Sequence, residues 1–154
     1  MRLRHTAAAS IVCAGSVATA ALAQGQTGTD DQDQIVHGIH MVCTGTTNDV
    51  RTDPRWRDYA LKLEFVGEHG QYLGDEQVTV SGNNLDVSVH CGGPWVLMKL
   101  PAGAYHLSAD VADAGHKDMT AKVGDKGQAT VIFRFPNAGG ETTQAIGAGS
   151  QAAR

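Results

Sequence analysis

An apolar period of two runs through residues 59–135 and leaves little room for anything but a β-fold. Tyr59, Leu61, Leu63 and Phe65 alternate with Ala60, Lys62, Glu64 and Val66. Successive side chains of a strand point to opposite faces, so this pattern buries one face and wets the other. Gly67-Glu68-His69-Gly70 ends the run. A second strand is predicted from Tyr72 to Ser81, with Val78 and Val80 on one face, and Ser81-Gly82-Asn83-Asn84 turns the chain. Leu85, Val87 and Val89 form a third strand that stops at Cys91-Gly92-Gly93. Residues 94–100 are apolar without interruption except at Lys99, which predicts burial on both faces with the lysine reaching solvent. Pro101-Ala102-Gly103 reads as a turn with Gly103 at φ > 0. Tyr105 to Val111, Met119 to Val123 and Ala129 to Phe135 alternate again. Seven strands with turn signals about every 8–12 residues predict an all-β, antiparallel seven-stranded β-sandwich.

The flanks have different compositions. Residues 1–23 open with Arg2 and Arg4, continue as small and apolar residues and end in Ala21-Leu22-Ala23. Small residues at −3 and −1 fit a signal peptidase, so a secretory signal is predicted there and a periplasmic or secreted location follows. The stretch is short and weakly apolar for a membrane anchor, and the mature chain is not expected to span a membrane. Residues 24–34 have no apolar side chain to anchor a core and read as a flexible leader. Residues 136–154, rich in Gly, Ala, Gln and Thr, read as a disordered tail. The domain is therefore placed at 35–135. Within it, Ile35 to Cys43 is expected as an edge strand, and Asp53-Pro54 as a helix start carrying Trp56. With 12 Lys+Arg against 16 Asp+Glu, the chain lacks the basic footprint of a nucleic-acid binder.

Removing 1–23 takes Cys13 with it and leaves two cysteines. In an oxidising compartment Cys43 and Cys91 are expected to form one disulfide. Free thiols, intermolecular pairing and a Cys-plus-His metal site are the alternatives. The bond would draw together His40 and His90, candidate ligands for copper or zinc, against the plainer reading of solvated or structural histidines. Trp56, between Arg55 and Arg57, is the candidate for an exposed binding surface, and Trp95 is assigned to the core. No His-Glu-x-x-His, Gly-x-Ser-x-Gly or phosphate-cradling loop is present, so no catalytic residue is assigned and no cofactor is expected.

The stretch from Gly93 to Ala109, with Leu100-Pro101-Ala102-Gly103-Ala104-Tyr105 at its centre, resembles the Leu-Pro-x-Gly-x-Tyr core of carboxypeptidase regulatory-like domains. Gly70-Gln71-Tyr72-Leu73 and Val131-Ile132-Phe133-Arg134-Phe135 are similar to the small exported bacterial members. The resemblance covers about residues 56–135. It implies a transthyretin-like (prealbumin-like) sandwich and a non-enzymatic module. Such a module would bind or interact in the bacterial envelope, with an envelope protein or glycan as partner. A small periplasmic metal-binding protein is the alternative, and an enzyme on this scaffold comes third.

Overall fold

The computed structural model describes residues 26–27 and 31–138. The signal peptide predicted over 1–23 and all but the first three residues of the predicted tail lie outside them. Among the described residues ten strands are formed: β1 (Gln26–Thr27), β2 (Gln34–Val36), β3 (Ile39–Thr44), β4 (Leu61–Gly67), β5 (Glu76–Gly82), β6 (Leu85–Cys91), β7 (Trp95–Met98), β8 (Gly103–Val111), β9 (Gly115–Val123) and β10 (Ala129–Phe135). A short helix α1 (Asn48–Arg51) and a 3₁₀ turn (Pro54–Asp58) lie between β3 and β4. One sheet has the order β1-β6-β5-β8-β9 and the other β10-β4-β7-β3-β2.

The seven strands expected within 59–135 correspond to β4 through β10. The number seven is too low for the described residues, because β1, β2 and β3 extend both sheets. The expected edge strand over 35–43 is a hairpin instead. β2 is the edge, while β3 lies inside the sheet between β2 and β7. The arrangement is also not purely antiparallel: β10 runs parallel to β4, and β1 parallel to β6. The leader is tied down where it is described. Gln26–Thr27 pairs with β6, and the Asp31 N–H donates to the Cys43 carbonyl at 2.7 Å. The start of the tail is held too, since the buried Ala138 accepts from Gln71 Nε2 through its carbonyl.

Turn chemistry explains the tight hairpins. His37-Gly38 and Asn83-Asn84 are two-residue loops with both central residues at positive φ, a twist that matches the flanking strands. Gly103 is not at positive φ and begins β8 as ordinary strand. The strained glycine of that region is Gly82, at φ 129°, where a Cβ would meet the Ala104 carbonyl at 2.7 Å. The left-handed demand thus sits in the β5–β6 hairpin, because Pro101-Ala102 already redirects the chain.

Both sheets contribute to one core. Leu61, Leu63 and Phe65 of β4 face Val78, Val80, Val87, Val89 and Leu107, and Phe65 stacks on Phe133. Each such side chain contributes roughly 1.5–3 kcal/mol by leaving water. Glu76, on the same face of β5 as Val78, is also fully buried, opposite Cys91 in the ladder. Cys43 and Cys91 form a disulfide within this core, joining β3 of one sheet to β6 of the other. Continuity of the β7 sequence has a concrete cause. Val96 and Met98 enter the shared core, while Trp95 and Leu97 lie under the 3₁₀ segment on the outside. Lys99 is exposed, as expected.

Candidate ligand groove on the capped sheet

The outer face of the β4-β7-β3 sheet is roofed by the segment between β3 and β4. Thr47 caps α1 by accepting from the Val50 N–H, and Asp53 caps the 3₁₀ turn by accepting from the Arg55 N–H at 2.9 Å. Pro54 sits at its first turn, as the sequence predicts. Trp56 then drops onto Val42, Tyr59, Trp95 and Leu97 in a second apolar cluster. It is 6% exposed, and its indole N–H donates to the Val50 carbonyl at 2.6 Å. Trp56 is therefore a buried anchor of the roof rather than the exposed platform expected from its flanking arginines. Gln128 locks the roof from the far side, donating Nε2 to the Trp56 carbonyl at 2.6 Å and to the Tyr59 carbonyl at 2.9 Å.

Cations cover the aromatic rings. Lys62 Nζ lies 3.3 Å from the centroid of Trp95 and pairs with Glu64 at 2.6 Å. Arg51 lies over Tyr72 at 4.3 Å, and Tyr72 meets Trp95 edge-on. Arg55 lies over Trp56 and binds Asp53 Oδ2 at 2.6 Å. The hydrogen bonds from the Arg55 side chain and backbone hold the Asp53 carboxyl below its usual 3.8. At the edge of this face Asp33 accepts from His40 at 2.7 Å and from Tyr59 at 3.0 Å. Partial burial pushes Asp33 upward, but these hydrogen bonds and the charges of His40 and Lys99 outweigh it and hold the carboxyl below 3.8. Burial, then the bond to Asp33, pushes the Tyr59 phenol up to about 12.

A depression of about 380 Å³ opens among Arg51, Asp53, Trp56, Arg57, Lys62, Trp95 and Gln128, with Thr52 on its rim. Arg57 is exposed, and its side chain makes no hydrogen bond or ion pair with any described residue. Trp95 is only 6% exposed, and its buried indole N–H has no hydrogen-bond acceptor among the described residues. Trp56 and Arg57 of this constellation stand out in the sequence as an aromatic beside a cation. Lys62, Trp95 and Gln128 are far apart in the chain, and only the β4–β7 pairing and the roof bring them together.

The disulfide does not bring His40 and His90 to one point. Met41 and Cys43 point into the core, so His40 faces outward from one sheet. Val89 and Cys91 point inward, so His90 faces outward from the other. Each is bound to its own aspartate, His40 to Asp33 and His90 to Asp75 at 2.6 Å. Among the described residues no three or more His, Cys, Asp and Glu side chains are placed to hold a metal ion. The sandwich thus places His40 and His90 on the outer faces of opposite sheets.

On the outer face of β8 and β9, His116 is bonded to Asp110 at 3.0 Å and to Asp118 at 3.1 Å, while His106 lies 3.4 Å from Asp118. The hydrogen bonds to Asp118 and Asp110 raise the His116 pKa above 6.5, and the bond from His116 lowers that of Asp118 below 3.8. A raised histidine pKa stabilises the fold below 6.5, and that contribution fades as pH rises through the folded value. A depressed carboxyl stabilises above 3.8, and its contribution fades as pH falls through the folded value. The array is thus intact between about pH 4 and pH 6.5. In an NMR titration His116 is expected to titrate above 6.5, and Asp118→Asn to move it back down. An unchanged midpoint in that variant contradicts the bonding described.

No protein-family model matches the chain, and no curated protein matches it. Among the described residues no helix is long and apolar enough to cross a membrane.

Proposed function

We propose that the chain is an exported, non-enzymatic binding module of the carboxypeptidase regulatory-like, transthyretin-like kind, with its ligand site in the groove beside Arg57. The observation that carries this reading is the groove itself: two tryptophans and three cations, one of them the exposed Arg57, built on a roof held by caps and by Gln128. Binding rather than catalysis is supported by the lining, whose one carboxylate is held by Arg55. Export is supported by the signal-like residues 1–23 and by the buried disulfide, which an oxidising compartment maintains.

Ligand binding to the folded state raises the melting temperature by mass action. Thermal denaturation against a panel of saccharides, organic acids and short peptides is expected to yield concentration-dependent increases. They should vanish in Arg57→Ala, which leaves the roof contacts in place. Increases that persist undiminished in that variant would place binding elsewhere and overturn the groove. A panel without any increase overturns the reading for those ligand classes.

A further inference from the structure

We infer that the groove accepts a sugar acid, a hydroxylated ring carrying one carboxylate. This rests on the binding role proposed above and names the ligand class. Three cations line the groove, but Glu64 answers the charge of Lys62, and Arg51 is spent on the Gly45 and Thr46 carbonyls and on Asn48. Arg57 keeps its whole guanidinium fork for a ligand. A guanidinium matches a carboxylate through two parallel N–H···O bonds. Asp53, ionised and in the lining, stands against a second negative charge.

A second observation comes from Trp95. Its indole N–H is buried without an acceptor, in a residue that lines the groove. Buried donors are nearly always paired, and a ligand oxygen in the groove would supply the acceptor that this one lacks. The rest of the lining suits a hydroxylated ring. Gln128 spends its amide N–H groups on the roof and keeps its amide oxygen as an acceptor, and Thr52 donates to the Asp49 carbonyl while its oxygen can still accept. Trp56 and Trp95 are the aromatic residues of the lining.

The chain has two tryptophans, and both line this groove, so intrinsic fluorescence reports on it directly. The probes are glucuronate, glucose, benzoate and inorganic phosphate, titrated into the purified protein at constant ionic strength. Glucuronate is expected to give a saturable change, with glucose, benzoate and phosphate each weaker by about tenfold or more, as for loss of a charge-assisted bidentate contact. Arg57→Gln should weaken glucuronate by about tenfold at an unchanged melting temperature. Trp95→Phe should weaken it several-fold, and because a phenyl is smaller than the packed indole the melting temperature should fall as well, so Arg57→Gln is the deciding variant. Equal affinity for glucose, equal affinity for phosphate, or indifference to Arg57→Gln each overturns the sugar-acid inference. A saturable response to glucose or benzoate that Arg57→Gln does not change would also leave a tryptophan-lined binding site standing. No response to glucuronate overturns the inference alone, since the broader panel tests the binding role separately.

Discussion

Replacing Cys43 and Cys91 together with alanine is expected to remove up to about 4 kcal/mol of stability, the chain-entropy value for a loop of this size. The cysteines are 48 residues apart in sequence and fully buried. The bond does more than tether an irregular segment to a loop. It joins β3 to β6 and so links the two sheets through the shared core. The unfolded chain, once freed of the cross-link, gains conformations that the native state does not. Urea unfolding with and without reductant measures the effect. The reduced protein and the double variant should shift to a lower midpoint, and the slope should rise as the unfolded state expands. A loss below about 1 kcal/mol would show that packing at β3 and β6 holds the sheets together without the bond.

Gly45→Ala is expected to cost about 3 kcal/mol, from two separable sources. Gly45 has φ +91°, a conformation that costs an L-residue about 1 kcal/mol or more. A Cβ there would also lie 2.8 Å from Cγ of Trp95, and displacing a packed indole adds about 2 kcal/mol. Gly70 provides the comparison. It has φ +79° with nothing within 4 Å of a Cβ, so Gly70→Ala should cost only the conformational part, about 1 kcal/mol. Thermal unfolding of the two variants separates strain from overlap. In Gly45→Ala the tryptophan emission should move as well, because Trp95 must shift beside Lys62 and Tyr72. Equal losses at the two glycines would mean that the indole yields freely and that the roof is soft.

Much of this molecule is legible along the chain because its signals are local. The alternation of Leu61, Leu63 and Phe65, or of Tyr105, Leu107 and Ala109, states which side chains share a face, since strand geometry sets the period. Asn83-Asn84 announces a tight hairpin through its tolerance of positive φ, and Asp53-Pro54 announces a helical start through its cap. Cys43 and Cys91, the two cysteines beyond the predicted signal, announce one bond. Other properties depend on which strand lies beside which, and periodicity is silent on that. Nothing near Ala129 says that β10 will run parallel to β4, a pairing that follows from the crossover out of β9 into the other sheet. Trp56 reads as a surface residue beside Arg55 and Arg57, and only Val42 and Leu97, rising from the sheet beneath, make it a buried anchor. His40 and His90 adjoin segments linked by one disulfide, yet point to opposite faces because inward cysteines force their odd-numbered neighbours in and their even-numbered neighbours out. The groove beside Arg57 belongs to this second class. Its walls come from the roof, from β4, from β7 and from the turn before β10, and tertiary packing alone makes them neighbours.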